Sequence, residues 1–140
     1  MVPGLFDVVE SVDSLALARE LARRAGGAGP LEVLIQVNTG DEPQKGGALR
    51  QEVPALLNEI ENLKTLRATG LMCIPPLGRG AEESRPHFQV LRGLRDEALK
   101  AGHSAVQALS MGMSGDFEVA IEEGATHVRI GTAIFGPRRS

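Results

Sequence analysis

The sequence predicts an α/β fold built on a parallel sheet, and three observations carry that expectation. Short β-branched or apolar runs alternate with longer stretches of helical period. Runs such as VLIQV, residues 33–37, are apolar almost without a break, as strands are when helices or a closed barrel cover both faces. The glycine- and proline-rich segments after Asn38 and Ile74 are long, which suits the loops where α/β folds keep their chemistry. The implied order is βαβαβαβαβ. No linker, low-complexity tract or repeat divides it, and 140 residues with 42% hydrophobic content fit one domain over 1–140.

The first strand is expected at 6–10. A helix over 14–25 then places Leu15, Ala18, Leu21, Ala22 and Ala25 on one face and turns Arg19, Glu20, Arg23 and Arg24 largely outward. It ends at Gly26 and Gly27, where left-handed backbone costs least. After a strand at 32–38, a second helix carries Val53, Leu56, Leu57, Ile60 and Leu63. Pro54 fits only its first turn, so that helix begins within 50–53. A strand at 67–74 leads to a helix at 84–100, which buries Phe88, Leu91, Leu94 and Ala98 and stops at Gly102. A strand at 105–110, a short helix at 115–123 ending at Gly124, and a strand at 126–130 complete the order.

Composition removes several functions. A net charge of -3 with 3% aromatic residues and no Trp or Tyr offers neither a basic nucleic-acid face nor a stacking platform. No apolar stretch approaches the roughly 20 residues of a membrane span, and the first residues lack the order of a signal peptide, so a cytoplasmic chain is expected. The single cysteine, Cys73, has no partner for a disulfide or a zinc site and is expected to pack as a small apolar residue. His87, His103 and His127 lack metal-ligand spacing, and no metal is expected. GxGxxG, Walker-type and GxSxG motifs are absent from the sequence. The loop NTGDEPQKGG holds Asp41, Glu42 and Lys45, which offer acid/base chemistry or a reactive amine, or else only a solvated connection. Nothing in the sequence supplies the apolar pocket that would lower the pKa of Lys45.

The segment 110–136, SMGMSGDFEVAIEEGATHVRIGTAIFG, reads as strand, glycine-broken turn, helix, strand and a second glycine turn. It gathers backbone N–H groups, two hydroxyls and one cation at the carboxyl end of two neighbouring strands, which suits the phosphate of a small ligand. Ser114 is placed to cap the helix that follows, a role compatible with phosphate binding, although Asp116 and Glu118 bring negative charge to the same place. Gly131 and Thr132 offer a backbone turn and a hydroxyl, or a plain turn. Arg129, inside HVRIG, stays charged and needs an acceptor if it points inward; the alternatives are a structural ion pair or an outward side chain.

VESVDS from Val9, VLIQVNTGDEPQKGG from Val33, GLMCIPP from Gly70 and LSMGMSGDFEVAIEEGATHVRIGTAIFG from Leu109 together resemble the pyridoxal phosphate homeostasis proteins, the YggS/PROSC type, over essentially the whole chain. Such proteins are similar in fold to the amino-terminal domain of alanine racemases, a parallel (β/α)8 barrel that holds pyridoxal phosphate at the carboxyl ends of its strands. The resemblance implies that Ser114, Gly131 and Thr132 hold the phosphate. It implies that Arg129 faces the pyridine nitrogen, keeps it unprotonated and so weakens the ring as an electron sink. Asn38, Met72 and Met111 would border the cofactor from strand ends.

In this family an early strand supplies the lysine that anchors the cofactor covalently, with two further strands before the segment matching VESVDS. None of Lys45, Lys64 and Lys100 matches that position. An incomplete barrel of about five strands is therefore expected, with about three strand–helix units and the anchor outside this chain. A full barrel takes roughly 250 residues, and five strands do not close one. Its open edge would favour self-association. The implied function is a non-enzymatic carrier or buffer of pyridoxal 5'-phosphate that serves apoenzymes. The alternatives are an alanine-racemase-like isomerase, whose second domain needs a catalytic tyrosine this sequence lacks, and a degenerate fragment that no longer binds the cofactor.

Overall fold

Strand order follows chain order throughout. The computed structural model describes residues 5–139, so residues 1–4 and 140 of the expected unit lie outside the described residues. Five strands, β1 (Val8–Val12), β2 (Leu31–Gln36), β3 (Leu66–Met72), β4 (Ala108–Met113) and β5 (His127–Arg129), form one sheet in the order β1-β2-β3-β4-β5. All four neighbouring pairs are parallel. Helices α1 (Leu15–Arg24), α2 (Val53–Asn62), α3 (Arg85–Lys100) and α4 (Phe117–Glu122) make the crossovers, and a four-residue α5 (Thr132–Phe135) follows β5. A sheet that never reverses its order is the wall of a (β/α) barrel, here a half-barrel of five strands, as expected.

Local chemistry explains where each helix sits. Ser14 Oγ accepts from Leu17 N at 3.2 Å and caps α1. Pro54 and Pro86 lie in the first turns of α2 and α3, where no intrahelical N–H is needed. Leu21 of α1, Leu57 and Ile60 of α2, Phe88 and Leu91 of α3 and Val119 of α4 share one core with Val33, Ile35, Leu71 and Leu109 of the strands. The helices thus cover a single face of the sheet, and the strand residues between those core positions, Glu32, Leu34, Gln36, Met72 and Ser110 among them, line the other, concave face.

Three departures from expectation bear on the site. β1 runs two residues later than 6–10 because Val12, beyond the polar pair Glu10 and Ser11, is fully buried against the helices. β4 occupies Ala108–Met113 rather than 105–110, since residues around 104–107 close α3 with a turn and the ladder to β3 starts at Gly70↔Ala108. Gly112 is therefore a strand residue at an irregularity in the β4–β5 pairing, not a turn glycine. It has φ +101, and a Cβ there would lie 2.7 Å from the Ala120 Cβ, so glycine is what lets α4 approach β4. The third departure is α5, which begins at Thr132 with Gly131 as its N-cap, where the sequence predicts a glycine turn and no helix.

Candidate phosphate and ring site

The carboxyl ends of β4 and β5 meet through one hydroxyl. Ser114 Oγ accepts from Gly131 N at 3.3 Å and from Ala133 N at 3.0 Å. Ser114 thus caps α5, not the helix that follows it in sequence. The start of α4 belongs to Asp116, whose Oδ1 accepts from Met113 N at 2.7 Å and whose Oδ2 accepts from Ser84 Oγ at 2.7 Å. With both lone pairs of Ser114 Oγ taken by N–H donors, its O–H proton is left to donate, and it meets no acceptor among the described residues. Thr132, with a second hydroxyl, and Gly131 are exposed beside it.

Arg129 ends β5 and reaches back across β4 to β3, where its Nη2 donates to Cys73 O at 3.0 Å. Its Nε is buried without an acceptor among the described residues. An unused donor of this kind is costly unless a ligand atom completes it. Burial pushes the Cys73 thiol up to about 12, with the Arg129 charge acting in the opposite direction, so Cys73 is a packed neutral side chain and no nucleophile.

The remaining expected residues divide. Met72 is 3% exposed on the concave face, in register with Gln36 on one side and Ser110 on the other. Asn38 lies at the end of β2, but its side chain closes the following loop: Nδ2 donates to Glu42 O at 2.7 Å and Oδ1 accepts from Glu42 N at 3.2 Å. Met111 is elsewhere. It is 0% exposed within the core shared with the helices, because strand alternation turns it away from the concave face that Ser110 lines. Lys45 stands 3.7 Å from Glu42 Oε2 in the β2–α2 loop, whereas Lys64 precedes β3 and Lys100 ends α3, both at the opposite, amino end of the strands.

Two features were not legible in advance. Thr39 and His87 meet at the carboxyl end of the sheet, Oγ1 to Nδ1 at 3.1 Å, while Arg50 Nη2 donates to Thr39 O at 3.1 Å. Glu10 reaches across the concave face to accept from Ser110 Oγ at 2.8 Å, bringing residues 100 apart in sequence together. A cavity of about 210 Å³ lined by Glu61, Arg67 and His103 lies at the amino end and includes none of the expected site residues. No group of three or more potential metal ligands, and no helix long and apolar enough to cross a membrane, occurs among the described residues.

These positions fit pyridoxal phosphate. A free O–H, a neighbouring hydroxyl and exposed backbone suit an anion, and the half-buried Arg129 guanidinium, anchored by Nη2 on Cys73 O, is a donor group of the kind that suits a neutral aromatic nitrogen. The chain is 46% identical over 137 residues to a pyridoxal phosphate homeostasis protein of Aquifex aeolicus, a match covering 97% of this chain and 60% of that protein. It is 40% identical over 144 residues to the protein of the same name from Homo sapiens, covering 98% and 52%. The chain therefore spans about half to three-fifths of the length of these relatives. PipY of Synechococcus elongatus, solved with pyridoxal phosphate bound, superposes with a TM-score of 0.82 at 38% identity, covering 94% of this chain and 61% of PipY. A lysine/ornithine decarboxylase of Vibrio vulnificus, at 13% identity and a TM-score of 0.67, shares the fold alone. Residues 4–139 match the family described as alanine racemase, N-terminal domain. By that match the chain belongs to the alanine racemase N-terminal domain family, and within it resembles the pyridoxal phosphate homeostasis proteins.

Proposed function

We propose that this chain forms the phosphate- and ring-binding wall of a pyridoxal 5'-phosphate carrier, one that buffers the cofactor in the cytoplasm, passes it to apoenzymes and catalyses no reaction of its own. The observation that carries the proposal is the hydroxyl of Ser114, oriented by two N–H donors from the α5 turn and left with a proton to give. Ser114, Gly131 and Thr132 hold the phosphate in this account, Arg129 meets the ring nitrogen, and Met72 and Asn38 border the site. When bound, the cofactor supplies a reactive aldehyde and an electron-accepting ring. Arg129 opposes protonation of the ring nitrogen, because a second positive charge beside a guanidinium is unfavourable, and so favours storage over carbanion chemistry. The names of the relatives and the bound ligand of PipY support pyridoxal phosphate as the cofactor in this reading.

Titration of the purified chain with pyridoxal phosphate, followed by absorbance, tests it. Ser114→Ala and Arg129→Ala should each weaken binding by about five- to tenfold, the scale of one ordinary hydrogen bond. Equal binding by both variants and the unaltered chain would remove the assignment. Borohydride reduction and peptide mapping should leave Lys64 and Lys100 unmodified, since both stand at the far end of the strands.

A further inference from the structure

We propose that Asp116 and Ser84 are the positioning residues of the Ser114 phosphate cradle, a proposal that rests on the reading of Ser114 given above. The Asp116 carboxylate joins two elements. Oδ1 holds Met113 N at 2.7 Å, and the Asp116 N–H returns to Met113 O at 3.2 Å, which fixes the turn that contains Ser114. Oδ2 takes the hydroxyl proton of Ser84 at 2.7 Å, and Ser84, at 6% exposure, sits immediately before α3.

The next residue, Arg85, donates to Glu122 Oε2 at 2.6 Å and to Glu123 Oε1 at 2.9 Å at the other end of α4. The start of α3 therefore grips α4 at both ends, and the Met113–Asp116 turn has little freedom to rotate. Its rigidity passes to the ligand side through Ser114 Oγ, whose bonds to Gly131 N and Ala133 N fix the direction of the remaining O–H.

The same arrangement answers the electrostatic objection to an anion beside this acid. Both oxygens of Asp116 are occupied by donors from the protein, so the carboxylate is turned into the scaffold and its charge is partly compensated there. Asp116 does not touch the ligand; it acts by orienting Ser114, as outer-shell partners orient ligating groups at metal sites.

The test uses the full chain with pyridoxal phosphate, with pyridoxal as the probe lacking phosphate, and with amide hydrogen exchange at residues 113–133. Asp116→Ala should weaken pyridoxal phosphate binding about tenfold, leave pyridoxal binding within about twofold, and speed exchange of the Gly131 and Ala133 amides. Asp116→Asn keeps an acceptor for Met113 N and offers its amide to Ser84 Oγ, so it should restore both properties. Ser84→Ala, the gentler change if Asp116→Ala does not fold, should weaken pyridoxal phosphate binding about threefold. Unchanged exchange at Gly131 and Ala133 overturns the proposal, as does an equal loss for pyridoxal and its phosphate. If Ser114→Ala leaves binding intact while Asp116→Ala still frees those amides, the positioning stands and the phosphate assignment of Ser114 is the part that fails.

Discussion

The two faces of the sheet are made by the same strands yet differ in kind. On the helix side, Val33, Ile35, Leu71 and Leu109 meet Leu57, Ile60, Phe88 and Leu91 in one continuous apolar core. On the concave side, buried Leu34 and Met72 share space with Glu10, Glu32, Gln36 and Ser110, and Phe6 is 58% exposed near the β1 edge. One face is completed by the chain itself. The other mixes polar and apolar side chains, so packing and polar chemistry are separable by the direction in which a strand residue points.

The largest effect expected from that separation lies in the core. Phe88 is 0% exposed, and Phe88→Ala should destabilise by about 3–5 kcal/mol, through lost burial plus the cavity left behind. A urea midpoint that scarcely moved would mean the helix face is not the stabilising one. A smaller effect should appear at low pH. Glu123, at 6% exposure, has its carboxyl held below its usual value of 4.5 by the Arg85 guanidinium, with Gln89 and Arg92 assisting. Its folded pKa lies below its unfolded one, so the stabilisation is complete above the ordinary glutamate range and is lost as the pH falls through the folded value. Melting temperature against pH should therefore fall on the acid side, and Glu123→Gln should flatten that limb; an unchanged slope would place the acid sensitivity elsewhere.

The smallest change in stability belongs to the two border strands, β1 and β5, which have no further strand partner among the described residues. Val8 begins the β1 edge, and Val128 lies in the β5 edge strand; both are exposed. Unpaired parallel edges beside apolar surface favour association between copies. Sedimentation of the full chain should depend on concentration, and Val8→Lys should reduce that dependence while moving stability by no more than about 0.5 kcal/mol. A concentration-independent monomer before substitution would sharpen the comparison in the other direction, since the concave face would then tolerate water unaided.

Much of the convex face was legible because its signals are local. Helical spacing of Leu56, Leu57 and Ile60 and the constraint at Pro54 place α2 without reference to other elements. Gly102 marks the end of α3 for the same reason, with φ +101. Pairing across strands was harder to read. The start of β4 depends on Gly70 facing Ala108, where a Cβ on residue 70 would fall 2.4 Å from Ala108 O. In the site, the residue types of Ser114 and Arg129 pointed to their strand ends, but their partners lay 17 and 56 positions away. The inward or outward direction of Met111 turned on the register of β4, which the glycines around it obscured. The sequence places Asn38 at the end of its strand, and it lies just past β2, while its commitment to Glu42 depends on loop geometry that no short motif encodes.

The unbroken correspondence between strand order and chain order also bears on assembly. Each strand pairs with the one before it, so every unit can dock on a surface already formed as the chain emerges, without inserting between earlier neighbours. The wall is thus additive: neither border strand pairs outward among the described residues, so a further strand would extend the ladder. Such a sheet grows in the way a staircase does, with its last step always ready to bear the next.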